Sequence, residues 1–303
     1  RVYRYDFGAE KGEKIISVTF SDTEKKYTVS GSCVAESGAE VTIVRAGGGY
    51  LGKAENGRFS IDLPCGTHVL YFESADGQIA TRKAEIKADG QSGDKNLGEI
   101  KLSFVSLESG TGITETESGV YNLSYGAGND FHYFTAGGER IETADAFVAE
   151  FTMQNDVTSR FYKSCALFAE KGSTTHSLFL LKQGNNALIG LYDPAAGNNS
   201  DGSAYYTVEN ADYNETDVTK VKIVFYKNAY YISFGKVSVK ISVKEIGAMQ
   251  FADQITNEFF SCGIRTLGIR IKDVGATVSG ISVKTGEENA EKAVRDGGFE
   301  NNN

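Results

Sequence analysis

The sequence predicts an all-β protein, a small antiparallel β-sandwich followed by a larger two-sheet jelly roll. Three observations carry that expectation. The stretch 219–244 (TKVKIVFYKNAYYISFGKVSVKISVK) alternates apolar and polar residues, the period of a half-buried strand and not of a helix. Short apolar runs elsewhere are separated by turn signals at regular spacing, as in Ser37-Gly38, Asn56-Gly57, Asp76-Gly77 and Asp89-Gly90. Finally, Gly 35 beside Pro 2 and Trp 0 fits many tight turns between short strands.

The chain has 303 residues, which makes two domains the first expectation. Hydrophobic residues make up 40% and aromatic residues 11%, enough for packed cores, so wholesale disorder is excluded. With a net charge of -9 and no cluster of Lys and Arg, a nucleic-acid partner is not expected. No apolar run approaches the roughly 18 residues a membrane span needs, so no membrane insertion is expected in this stretch. The first residue is Arg1, and the chain reads as a piece of something longer.

Taken in order, residues 1–26 hold one strand candidate, 15–20 (IISVTF), while 1–14 receive no assignment. Six candidates follow: YTVSGSCV, EVTIVR, RFSIDL, THVLYFES, IATRKAEIK and NLGEIKL. At 103–117 the composition shifts to Ser, Thr, Gly and Glu, which sets the expected division into 1–104 and 105–285. The two units are expected to pack independently, with a protease-sensitive joint at 102–108. Beyond it come strands at 119–125, 130–135, 146–154, 161–169, 177–183 and 187–192, then the meander at 219–244, then 263–274 and 279–284. In the meander Val221, Ile223 and Phe225 share a face, as do Tyr230, Ile232 and Phe234, then Val237, Val239, Ile241 and Val243. About a dozen strands over roughly 180 residues have the dimensions of a jelly roll. The polar tail 286–303 is helix-permissive and reads as a linker or the start of a following module.

Residues 27–102, through YTVSGSCV, NGRFSIDLPCGTHVLYFES and LGEIKL, resemble the carboxypeptidase-regulatory-like (transthyretin-like) modules of surface proteins. That resemblance implies a small sandwich that acts as a spacer. The larger half, through AFVAEFTMQ, SCALFAEKGSTTHSLFLLKQGNNALIGLY, KVKIVFYKNAYYISFGKVSV and CGIRTLGIRIKDVGATVSGISV, looks like a concanavalin A-like or laminin-G-like jelly roll. This family spans lectins, adhesive modules and glycoside hydrolases, so the resemblance implies architecture more than ligand.

Catalytic constellations fare poorly. Gly47-Gly48-Gly49-Tyr50-Leu51-Gly52-Lys53 has the skeleton of a phosphate-binding loop, but Ala54 follows and no helix pattern begins, so it reads as a glycine-rich turn. Glu142 and Asp145 are three apart and would face opposite sides of a strand, and Glu150 lacks an acid two residues away. The histidines His68, His132 and His176 stand in no metal-ligating motif. No enzymatic activity is expected of this stretch. For the cysteines two readings stand together: buried thiols, or disulfides within each unit, Cys33 with Cys65 and Cys165 with Cys262.

Two loops carry binding chemistry. Residues 193–206 concentrate Asp193, Asn199 and Asp201 before Tyr205 and Tyr206, with Asp193 and Asp201 as calcium ligands if the loop holds an ion. Residues 125–133 offer glycines for close approach with Asn129, Asp130 and His132 for hydrogen bonds. Amides and carboxylates beside tyrosines suit a sugar, and any polar surface loop uses the same residues. Tyr230 and Tyr231 are weaker candidates, since alternation buries one of them. The expectation is a monomeric, extracellular or cell-surface binding or adhesion fragment whose partner is a glycan or another extracellular surface ligand. A structural spacer, or an accessory region of a larger glycoside hydrolase, is the alternative.

Overall fold

The structure is a computed structural model. It describes residues 25–46, 49–88, 93, 95–124, 132–144, 146–156, 163–171, 174–183, 186–192, 203–208, 216–242, 264–271, 275–297 and 299, with the backbone alone for 163–208 and 270–271.

Among the described residues the first module has seven strands: β1 (Lys26–Ala35), β2 (Val41–Ala46), β3 (Gly49–Gly52), β4 (Arg58–Pro64), β5 (Gly66–Ser74), β6 (Ile79–Ile86) and β7 (Asn96–Leu102). They form two sheets in the orders β4-β1-β7 and β3-β2-β5-β6. The expected sandwich is there, with one parallel pair in it, β1 with β7. Alternation does the work in β4, where Phe59, Ile61 and Leu63 point inward and Arg58, Ser60 and Asp62 outward. Asn56 and Gly57 both have positive φ, 51° and 70°, and turn the chain tightly between the bridged pair Glu55 and Arg58. The glycine run ends in a strand, since β3 folds back on β2 with Gly49 opposite Ala46 and Tyr50 opposite Arg45. Between the sheets Val29, Phe59, Leu70, Phe72, Ile100 and Leu102 form one core, and the Phe59 and Phe72 rings lie 5.1 Å apart. Full burial of each such side chain contributes about 1.5–3 kcal/mol.

The second module continues with β8 (Ser106–Leu107), β9 (Ile113–Glu117), β10 (Val120–Leu123), β11 (His132–Ala136), β12 (Glu139–Arg140), β13 (Glu142–Thr143), β14 (Phe147–Asn155) and β15 (Lys163–Lys171). Then follow β16 (Thr174–Gln183), β17 (Asn186–Tyr192), β18 (Ser203–Val208), β19 (Thr219–Tyr226), β20 (Ala229–Phe234), β21 (Val237–Ser242), β22 (Arg265–Thr266), β23 (Gly268–Ile271), β24 (Ala276–Thr285) and the helix α1 (Glu287–Asp296). One sheet runs β21-β20-β19-β14-β24-β10-β9, and the other β12-β11-β23-β15-β16-β17-β18 with β8 beside β11. The meander folds as its pattern predicts: Tyr226 pairs with Ala229 across Lys227 and Asn228, whose φ values are 49° and 56°. Its inward residues Phe225, Tyr230, Ile232 and Phe234 join Phe134, Phe147 and Phe151 in the larger core.

The helix-permissive tail, expected as a linker or the start of a following module, forms α1, whose Ala290 and Val294, together with Phe299 beyond it, pack on Ala146, Val148, Val224 and Tyr226. These residues are the outward face of β14 and β19, too apolar to stay wet, and the helix covers it. Glu287 and Glu288 in its first turn and Arg295 in its last suit the helix dipole.

The two expected units also share a seam. Tyr71 and Ile79 of the first module belong to the core cluster of the second. The Tyr71 hydroxyl donates to the Val283 carbonyl at 3.2 Å, and Thr81 Oγ1 accepts from the Glu142 N–H at 3.0 Å. At the joint, Ile79 and Ser103 exchange backbone hydrogen bonds, and Ser106 and Leu107 pair with β11.

Of the cysteines, Cys33 is buried, Cys65 is exposed, and both are free thiols, so a Cys33–Cys65 bridge is not formed. Alternation in β1 turns Cys33 into the core, and burial pushes its thiol up to about 11. Cys262 and the side chain of Cys165 lie outside the described residues.

Candidate functional site

Most of the residues singled out in the sequence fall outside the described ones: Asn129, Asp130, Asp193, Asn199 and Asp201. Tyr205 and Tyr206 lie on β18, opposite Gly190 and Ile189 of β17, and His132 opens β11. All three belong to one sheet, but β11 and β18 are separated by β23, β15, β16 and β17. Five strand steps amount to about 24 Å. Every pair along that path is antiparallel, so β11 and β18 run in opposite directions and start from opposite ends of the sheet. The chain therefore enters His132 from one end and Ser203 from the other, and the geometry does not gather His132 with Tyr205 and Tyr206 into one small site. His132 itself is 6% exposed, beyond the reach of a sugar at the surface.

The other candidates are held by packing. Tyr230 is buried and accepts a 2.9 Å hydrogen bond from Arg265 Nε, while Tyr231 meets the Phe299 ring edge-on at 5.6 Å. Glu150 lies opposite Lys222 across β14 and β19 and pairs with it at 2.9 Å, with Lys220 at 3.8 Å. Its neighbours are cations rather than the second carboxylate that glycoside hydrolysis needs. Among the described residues no group of three or more His, Cys, Asp or Glu side chains is placed to hold a metal.

The described residues do form an open polar groove of about 890 Å³, on the outer face of β4-β1-β7. Its floor follows from register. Ser30 of β1 lies between Ser60 of β4 and Asn96 of β7, and Ser32 lies between Arg58 and Glu99. This makes two cross-strand rows, one of hydroxyls and an amide, the next a hydroxyl flanked by a guanidinium and a carboxylate. The register slips between them, since β7 advances from Asn96 to Glu99 while β1 advances from Ser30 to Ser32. Gly98 takes up the slip with φ +69°, and its N–H donates to Asn96 Oδ1 at 3.0 Å. Gly31 lies beneath, where a Cβ would come within 2.7 Å of the Phe59 ring. Lys53 and Glu55 stand at the groove's side.

No family model matches the chain, and no curated protein does. Solved structures similar to it include a functionally unknown protein from Saccharomyces cerevisiae (12% identity, 60% of this chain and 96% of that one, TM-score 0.39). A carbohydrate binding module from Bacillus subtilis matches at 10% identity over 60% of this chain and 95% of that one, with TM-score 0.37. Sheep galectin-11 matches at 6% identity over 48% of this chain and 95% of its own, with TM-score 0.31. Likeness at this level carries no residue of those proteins' sites to this chain.

The groove residues were missed because each is unremarkable alone. Serines at alternate positions in YTVSGSCV and an Arg and a Ser in RFSIDL read as the wet face of two strands. Only the pairing of β1 with both β4 and β7 lines them up, and no local pattern encodes a pairing between residues this far apart in the chain.

Proposed function

We propose that the chain is a non-catalytic binding fragment of an extracellular or cell-surface protein, and that its ligand is a carbohydrate. The observation that supports this most directly is the pair of polar rows in the groove on β4-β1-β7. A sugar presents adjacent hydroxyls that both donate and accept. The rows offer donors at Arg58, acceptors at Glu99, and groups that do both at Ser30, Ser32, Ser60 and Asn96. Arg58 makes no ion pair with a described residue, which leaves its guanidinium for a ligand. Among the described residues no exposed aromatic ring lines the groove, so affinity for a single sugar unit is expected on the order of millimolar, about −4 kcal/mol. The jelly-roll loops remain a second contact surface in this proposal, with Asn129, Asp130, Asn199 and Asp201 toward the sugar, one of Tyr205 and Tyr206 beside them on β18, and calcium at Asp193 and Asp201.

A glycan array with the full chain tests the reading. Retention on a defined glycan class is expected, lowered about tenfold by Arg58→Ala with Glu99→Gln, a change of about 1.4 kcal/mol. Tyr205→Ala with Tyr206→Ala reports on the loop surface, and chelation of calcium reports on Asp193 and Asp201. Loss in the groove variant alone supports the groove, and loss in the tyrosine variant alone moves the site to the jelly roll.

The packed seam between the modules favours a second reading, a rigid spacer that holds neighbouring modules at a set distance. Failure of the unmodified chain to retain any glycan would leave that reading.

A further inference from the structure

The seam between the modules contains a cavity of about 20 Å³, lined by Arg45 and Tyr71 of the first module and by Glu142, Thr143, Thr285 and Gly286 of the second, among others. Three polar atoms of its lining have no protein partner: Arg45 Nε, Thr143 Oγ1 and Thr285 Oγ1. Their residues are 6%, 2% and 9% exposed, so bulk water does not satisfy them. Buried polar groups in folded proteins are paired as a rule, and three orphans around one cavity point to a shared partner. We infer that this cavity is a built site for a single water molecule held jointly by the two modules.

Size and charge choose that occupant. A water needs about 10–15 Å³, so the cavity admits one but not a sulfate, a phosphate or a sugar. The charges around it do not add up to an anion site. The Arg45 guanidinium is already engaged through Nη1 by the Glu288 carboxylate, and Glu142 adds a second negative group to the lining. A cation is opposed by the Arg45 Nε–H, which donates only. A water accepts from Arg45 Nε–H and exchanges hydrogen bonds with the two threonine hydroxyls, which both donate and accept. Its partners come from β2, β13 and β24, so the water belongs to neither module alone and contributes only while the seam is closed.

The test is a crystal structure of the full chain at a resolution that shows ordered water, with oxygen-17 relaxation dispersion counting long-lived internal waters in solution. A density peak within hydrogen-bond distance of all three atoms is expected, and one long-lived water should vanish in Thr143→Val with Thr285→Val. If that pair does not fold, Thr143→Val alone should lose the same water, while Thr285→Ser, which keeps the hydroxyl, should retain it. An empty cavity, or an unchanged count in a variant with native circular dichroism, overturns the inference. So does a saturable rise of Tm in sodium chloride over sodium glutamate at equal ionic strength, which would mark chloride as the occupant.

Discussion

The first module has two outward sheet faces, and they differ in fate. The outer face of β4-β1-β7 carries Ser30, Ser32, Arg58, Ser60 and Glu99 and is open to solvent. The outer face of β3-β2-β5-β6 carries Arg45, Tyr71, Ile79 and Thr81, all buried against the second module. The strands announce the difference. β1 and β4 alternate between buried and less buried positions, whereas Val69-Leu70-Tyr71-Phe72 in β5 is buried residue after residue. Alternation marks a sheet with one wet face, and an unbroken apolar run marks a strand covered on both. The second buried face is what ties this module to its neighbour.

Tyr71→Ala should test the contrast most severely. Loss of a buried aromatic ring from the seam is expected to cost about 3–5 kcal/mol, read from urea unfolding by circular dichroism. Arg58→Ala on the open face should stay within about 0.5 kcal/mol. Equal effects at the two positions would mean that the seam is not stabilising.

Glu288→Gln probes the same seam with charge in place of area. Arg45 is buried, but the Glu288 side chain is 59% exposed, so solvent screens much of the pair. The expected loss is about 1 kcal/mol, and it should shrink with added salt. A loss that salt leaves unchanged would show that shape rather than charge holds α1 to the first module.

The smallest effect separates the two thiols. Exposed Cys65 should react with a thiol reagent in the folded protein, and buried Cys33 only on unfolding. Because burial raises Cys33 from 9.0 to about 11, its contribution to stability is complete below pH 9 and lost as pH rises through about 11. Cys33→Ala should flatten that alkaline decline, and an unchanged decline would assign it to other groups. Tyr71, also held up by burial, is the first of these.

Legibility in the sequence followed the range of the interaction. The turns at Asn56-Gly57 and Lys227-Asn228, the meander and the inward residues of β4 all depend on neighbours a few positions apart, and local pattern reads such contacts directly. The seam was half legible. The unbroken VLYF run fits a strand covered on both faces, but it does not say that Val283 and Thr143 stand behind the second one. The tail that forms α1 reads as helix-permissive, while its docking depends on an apolar outer face of β14 and β19 that only strand pairing assembles. Of the candidate site, the groove needed the parallel pairing of β1 with β7, set by residues more than sixty positions apart.

That parallel pairing has a mechanical consequence. β1 begins the described part of the first module and β7 ends it, side by side and pointing the same way, with Ser30, Ser32, Cys33, Val34 and Ala35 matched to residues of β7. Tension applied at Lys26 and Leu102 therefore drags the two strands past each other lengthwise. Their hydrogen bonds are loaded together and must fail together. An antiparallel hairpin such as β5 with β6, pulled from its open end, would peel apart one bond at a time. A chain exposed to flow or traction would carry load across this module along its strongest direction.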